Sequence, residues 1–112
     1  LDPKGRQEIL DQISKLRDKT GMTIILVSHS MEDVAEYVDR IIVMNQGRVM
    51  YDDTPKEVFK NYRELEEVGL AAPQVTYIMH KLKEKGLDVN VEATTISEAS
   101  DEIIKALRAT RR

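Results

Sequence analysis

The sequence predicts an α/β fold, in which a parallel strand flanked by helices is followed by an antiparallel hairpin and a mostly helical C-terminal part. Three observations predict it: a helical repeat of apolar residues near the start, a continuous β-branched run at residues 22–28, and two short apolar segments around a glycine-containing turn at 45–47. The chain has 112 residues, of which 41% are hydrophobic, enough for one modest core.

The first helix begins at the N-cap Asp2 and at Pro3, and Gly21 offers its C-terminal stop. Between them apolar residues recur at helical spacing, namely Ile9, Leu10, Ile13 and Leu16. The next segment, 22–28 (M-T-I-I-L-V-S), is apolar throughout, as in a parallel strand buried on both faces. The sequence therefore predicts a helix followed directly by a buried strand.

A short helix through about Tyr37 is predicted next, because Ser30 and Asp33 have the spacing of a capping box. Its apolar face would be Met31, Val34, Ala35 and Val38. Residues 40–44 (R-I-I-V-M) and 48–51 (R-V-M-Y) then flank Asn-Gln-Gly, which predicts a hairpin that closes the sheet on one edge.

Helices predominate in the second half. Thr54 as N-cap, Pro55 and Glu57 open one helix, from which Val58 and Phe59 are expected to point inward. A further helix ends at Gly86 and is followed by a predicted short extended piece at 87–91; its apolar residues are Val75, Ile78, Met79 and Leu82. A last helix begins at a Thr95–Glu98 capping box and ends in basic residues. Its apolar residues are Ile103, Ile104 and Leu107. The composition shifts after Tyr62, so we place a boundary between residues 1–62 and 63–112.

Composition and charge exclude several classes of function. With 17 Lys+Arg against 20 Asp+Glu the net charge is −3, so there is no basic field to favour nucleic acid as a partner. The absence of cysteine excludes disulfides and thiolate metal sites. No apolar run approaches the roughly 20 residues of a membrane span.

His29 is the residue most suited to chemistry, because it follows the predicted strand at the edge where open α/β sheets place ligand contacts. Its imidazole can donate a hydrogen bond to a phosphate; the alternative is that it only caps the strand or bonds a nearby carbonyl. Asp2 has a similar alternative as a simple helix cap, and Glu32 and Asp33 are favoured as cap residues over a catalytic dyad or metal ligands. His80 is expected to be a solvated helix residue.

No complete active site is present in the sequence itself. None of the five glycines begins G-x-x-x-x-G-K-[ST], and neither G-x-S-x-G nor H-E-x-x-H occurs. We predict no metal site.

Five blocks, taken in order, resemble an ABC-transporter ATPase. They are L-D-P-K-G-R at 1–6, T-I-I-L-V-S at 23–28, H-S-M-E-D-V-A at 29–35, G-R-V at 47–49 and T-P-K-E-V-F at 54–59. The match is to the second half of the nucleotide-binding domain, from the D-loop to the switch-histidine loop; Walker A, the Q-loop, the signature motif and Walker B would all precede Leu1. The missing initiator Met likewise leads us to expect that the chain is a piece of a longer protein.

The tail resembles the C-terminal extension of energy-coupling-factor ATPases, the cobalt/nickel and vitamin importers of the CbiO type. The residues that carry this resemblance are 66–70 (E-E-V-G-L), 72–75 (A-P-Q-V), 81–83 (K-L-K) and 86–87 (G-L). Asp53 departs from the family, which commonly has Gly before Thr-Pro; Asp tolerates unusual backbone angles.

The resemblance implies specific roles. His29 would be the switch histidine, the catalytic residue that contacts the γ-phosphate and the attacking water, and Asp2 the D-loop aspartate, reaching across an ATP-sandwiched dimer. The intact parent would use ATP and Mg²⁺, whereas this chain alone is expected to bind no cofactor and to be inactive. Partners would be a second ATPase subunit, in a homo- or heterodimer formed partly by 63–112, and a membrane coupling subunit that holds the protein at the cytoplasmic face.

Two alternatives stay open at this point. The chain could instead be a stand-alone interaction or dimerisation module derived from such an ATPase, which the DNA sequence preceding Leu1 would decide. An independent hydrolase with His29 as general base is disfavoured, because no nucleophile or phosphate loop accompanies it. On the fragment hypothesis the inner sheet edge is unpaired, so we expect self-association, swapping or poor order in the first fifty residues.

Overall fold

The computed structural model describes residues 3–110, which form six helices and one two-stranded sheet. In chain order these are α1 (Pro3–Thr20), α2 (Met31–Tyr37), β1 (Ile41–Asn45), β2 (Arg48–Asp53), α3 (Pro55–Phe59), α4 (Tyr62–Glu67), α5 (Gln74–Glu84) and α6 (Ile96–Thr110). None of the helices in this range is long and apolar enough to cross a bilayer.

Helix α1 has the predicted extent and stop. The Gly21 N–H donates to the Arg17 carbonyl at 2.8 Å, and Gly21 adopts a φ of 70°, the left-handed conformation that ends many helices. Its predicted apolar face is not buried, however, since Ile9, Ile13 and Leu16 are 37 to 48% exposed. The helix therefore presents an uncovered apolar stripe.

The predicted parallel strand at 22–28 is wrong for this structure. The segment has no strand assignment, and Ile25 and Val27 are 87% and 94% exposed. The physical reason is that a strand exists only through backbone pairing, and β1 and β2, which make up the sheet of the described residues, pair with each other. Residues 3–110 contain the apolar sequence but supply it with neither partner strands nor covering layers.

The predicted hairpin is confirmed. Strands β1 and β2 are antiparallel, with Asn45 opposite Arg48, and a bulge lies between Val43 and Met44. The loop residues Gln46 and Gly47 have φ values of 52° and 74°, as a two-residue type I′ turn requires. Glycine meets that requirement without the steric cost of a Cβ.

All three predicted capping boxes stand at helix starts, and in two of them a threonine side chain accepts the expected bond. Thr54 accepts the Glu57 N–H at 3.4 Å, and Thr95 accepts the Glu98 N–H at 3.2 Å. The helix predicted through about Tyr37 is confirmed, with Ser30 as the N-cap of α2, but the Ser30 side chain makes no capping bond. Asp33 instead pairs with Arg6 of α1, at 3.0 Å, since a guanidinium is a stronger partner for a carboxylate than a neutral amide.

Buried residues form two separate clusters. The first joins α2, β1, α3, α4 and the following loop through Val34, Ala35, Val43, Val58, Phe59, Leu65 and Ala72. The second joins α5 and α6 to the connector between them, residues 85–95. Its members are Met79, Val89, Ala93, Ala99 and Ala106. The predicted inward positions of Val58 and Phe59 are confirmed at 1% and 2% exposure. The expected extended piece at 87–91 forms no strand, although Val89 is buried.

Candidate functional site

His29 lies between segment 22–28, which forms neither helix nor strand, and α2, and its side chain is exposed. A bond from the Ser30 N–H to the Ser28 Oγ, at 3.0 Å, shapes this loop. Within residues 3–110 no hydrogen bond or ion pair engages the imidazole. The ring is therefore available to a ligand rather than committed to a structural contact.

Helix α2 holds the His29 loop in place. Val34 and Ala35, on the inner face of α2, are buried, and Asp33 pairs with Arg6 of α1. At the other end of α2 the Tyr37 hydroxyl donates to Asp11 of α1 at 2.6 Å. That bond to the carboxylate is the main reason that the pKa of Tyr37 is raised, because ionising the phenol would break it. The loop thus extends from a helix that is fixed at both ends.

The other residues singled out in the sequence lie elsewhere or do something else. Asp2 lies outside the described residues, so the structure does not place it relative to His29. Glu32 accepts the Gln74 N–H at 3.2 Å, and so caps α5 rather than its own helix. His80 is half-buried, not solvated, with its ring centroid 4.8 Å from that of Tyr62.

A charged cluster that the sequence did not reveal joins α3 to the start of α6. Lys56 pairs with Glu98 at 2.8 Å, and Lys60 pairs with Glu92 at 3.1 Å and with Glu57 at 3.0 Å. The capping-box pattern did locate Glu98 at a helix start. The capping-box pattern did not indicate that Lys56, 42 positions before Glu98 in the sequence, would be its partner.

Glu98 has the most strongly altered acidity in this cluster. Partial burial is the largest influence and acts to raise its pKa, but the hydrogen bond from Lys56, bonds from the Thr94 N–H and hydroxyl, and the Lys56 charge together outweigh it. The net result is a pKa lowered from 4.5 to about 2. Glu98 is therefore ionised whenever the cluster is intact near neutral pH.

A groove of about 750 Å³ separates α2 from α5 and α6. The α2 side carries the carboxylates of Glu32, Asp33 and Glu36, and the opposite side is mostly apolar, with Ile78 and Ile104 both nearly half exposed. The first and second clusters are thus joined at limited places rather than along a continuous interface.

Known proteins resemble nearly all of this chain, although no protein-family model matches it. The energy-coupling factor transporter ATP-binding protein EcfA2 of Acetivibrio thermocellus is 57% identical over 108 residues, which are 96% of this chain and 38% of that protein. EcfA2 of Clostridium acetobutylicum is 50% identical over 112 residues, 100% of this chain and 39% of that protein. EcfA1 of Caldanaerobacter subterraneus subsp. tengcongensis is 47% identical over 98 residues, 88% of this chain and 35% of that protein.

Over nearly its whole length the chain is homologous to a segment of the energy-coupling factor transporter ATP-binding proteins. It spans a little over a third of the length of the relatives it matches. The resemblance seen in the sequence is confirmed, and the mixed arrangement of helices around a small hairpin fits part of an ABC ATPase domain. The relatives' names specify ATP binding and transport by an energy-coupling factor; they name no transported substrate, so they do not support cobalt in particular.

Proposed function

We propose that this chain is part of the ATP-hydrolysing subunit of an energy-coupling factor importer. Residues 1–62 would belong to its nucleotide-binding domain and 63–112 to an extension that contacts a second ATPase subunit. The observation that carries the proposal is the 46 to 57% identity to such ATP-binding proteins across nearly the whole chain.

His29 would be the catalytic residue of this segment. Its exposed imidazole, free of bonds to the described residues and carried by the anchored α2, suits a group that must reach a phosphate. Phosphoryl transfer depends mainly on positioning and on stabilising charge, so one well-placed donor to the γ-phosphate and the attacking water has a large effect on rate. Asp2 would reach across the dimer interface toward the partner's nucleotide site.

The residues of this chain fit only the γ-phosphate end of ATP. His29 supplies a donor there, but none of the five glycines stands in a phosphate-binding loop motif. Other parts of the longer protein would therefore hold the rest of the nucleotide and its Mg²⁺. When bound, Mg²⁺ neutralises charge on the β- and γ-phosphate oxygens.

The partners would be a second ATPase subunit and a membrane coupling subunit, which would hold the protein at the cytoplasmic face of the membrane. Relatives of both names, EcfA1 and EcfA2, match this chain, which supports a pair of related ATPases. The absence of a membrane-spanning helix among residues 3–110 is compatible with attachment through a partner. The cargo would be a metal ion or a vitamin.

The test is His29→Ala in the longer protein that contains this segment. We expect nucleotide binding to persist and ATP turnover to fall by roughly 10²-fold or more, the usual cost of removing a preorganised donor in the transition state. His80→Ala is the matched control, because His80 packs on Tyr62 instead of facing a ligand. Normal turnover in His29→Ala would refute the assigned role. The 112-residue chain by itself is expected to hydrolyse no ATP.

A further inference from the structure

The C-terminal body, residues 74–110, contacts α3 through charged side chains that remain open to water. Lys56 lies on α3 and Lys60 is its C-cap residue, about one helical turn further along the chain. Lys56 pairs with Glu98 and Lys60 pairs with Glu92. The four side chains are 41 to 46% exposed. Ion pairs this exposed are weak and are screened by salt, so this junction is held reversibly.

The C-terminal body is held together independently of α3. In its connector the Asn90 N–H donates to Glu102 at 3.1 Å and the Glu92 N–H to Asn90 Oδ1 at 2.9 Å. Two side chains of the connector itself, Val89 and Ala93, are only 2% and 4% exposed and belong to the same buried cluster as residues of α5 and α6. The buried cluster of this body and the partly buried side chains packed against it all lie within residues 75–106, and none of them comes from α3.

A different kind of contact joins the two parts where the chain passes from one to the other. The Tyr77 hydroxyl accepts the Ala72 N–H at 3.0 Å, and the Tyr77 ring stands edge-on to that of Tyr62 at 5.4 Å. Tyr77 also packs against the first buried cluster. These apolar and partly buried contacts are insensitive to salt, so this end can serve as a pivot.

We propose that the Lys56–Glu98 and Lys60–Glu92 pairs form a salt-sensitive latch. Closed, it holds the C-terminal body on α3; released, it lets that body rotate about the Tyr77 contact and widens the groove between α2 and α5/α6. Glu57 lowers the cost of opening, because it binds Lys60 at 3.0 Å from the same helix and leaves that ammonium paired when Glu92 departs. This inference concerns the fold alone and does not rest on the proposed function.

The test measures distances between paired spin labels on the full chain. The chain contains no cysteine, so introduced cysteines label uniquely. One pair, at the exposed positions Arg48 and Lys105, spans the latch; a second, at Lys83 and Lys105, lies within the C-terminal body. Spectra are taken at about 0.05 M and about 1 M NaCl, between which the Debye length falls to about 3 Å.

We expect the latch-spanning distances to lengthen and broaden at high salt, with at least a twofold rise in the long-distance fraction, while the internal pair is unchanged. Lys56→Gln with Lys60→Gln should produce the same change at low salt. Lys81→Gln is the control lysine, exposed on α5 and outside the latch. Unaltered spanning distances in both high salt and the double variant would overturn the proposal, and so would equal broadening of the internal pair, which would indicate unfolding.

Discussion

Replacing Glu98 by Gln is expected to destabilise the protein at neutral pH and to have little effect near pH 2. The side chain accepts bonds from Lys56 at 2.8 Å and from the Thr94 N–H at 3.1 Å. These bonds favour the ionised carboxylate, which is why its pKa falls from 4.5 to about 2 despite partial burial. Gln keeps the shape but loses the charge and the attraction to Lys56.

The lowered pKa of Glu98 determines how its contribution to the free energy of unfolding varies with pH. A carboxyl group whose pKa is lower in the folded state contributes stability above its unfolded pKa, near 4.5, and loses it as the pH falls toward about 2. At 1.36 kcal/mol per pKa unit the ceiling is roughly 3 kcal/mol. Because the side chain is 41% exposed, solvent screening reduces the expected effect to about 1 kcal/mol.

The assay is urea unfolding of the wild type and Glu98→Gln at several pH values between about 6 and 2. The difference in unfolding free energy should be about 1 kcal/mol at pH 6 and should disappear across the window from about 4.5 to about 2. Glu8→Gln, at an exposed position of α1, controls for the loss of one negative charge. A difference that stays constant or grows on acidification would contradict the reasoning.

Two further predictions test the packing. Leu65→Ala truncates a side chain of the first cluster that is 1% exposed, so it should lower the free energy of unfolding in urea by about 3 kcal/mol. Ile104→Ala, at a side chain of α6 that is 45% exposed, should lower it by less than about 1 kcal/mol. Equal losses for the two variants would contradict the assigned burial. Val27→Ser should change the stability of this chain by no more than about 0.5 kcal/mol, because Val27 is 94% exposed, yet cost more than about 1.5 kcal/mol in a longer protein that buries it. A large loss in this chain alone would show that Val27 is already covered.

Local signals were sufficient for most of the helices and for the hairpin. Pro3, Gly21 and the Thr54-Pro55 pair mark helix ends through the chemistry of their own backbone positions, which needs no distant partner. The turn at Gln46-Gly47 was also predictable locally, because a short turn between paired strands favours residues such as glycine that adopt the positive φ angles seen there. The sequence analysis predicted no separate helix at Tyr62–Glu67, although the structure has α4 there with Leu65 buried.

Contacts between distant segments could not be predicted. The sequence singled out His29 because one residue at a strand–helix junction is a local pattern. The Lys56–Glu98 pair depends instead on how α3 and α6 meet in space, and capping-box spacing carries no information about that. For the same reason the sequence favoured Ser30 as the partner of Asp33, where the fold supplies Arg6.

The failure of the strand prediction at 22–28 has a physical meaning of its own. A run that is apolar on both alternating faces specifies a segment covered on both sides, and the exposure of Ile25 and Val27 shows that the described residues do not supply that cover. Leaving such side chains in water forgoes about 1.5 to 3 kcal/mol each, and the α1 stripe and the outer hairpin residues Met44 and Val49 add to this surface. Since the relatives are more than twice as long as the matched segment, we expect the remainder of such a protein to bury these residues and to restore the strand.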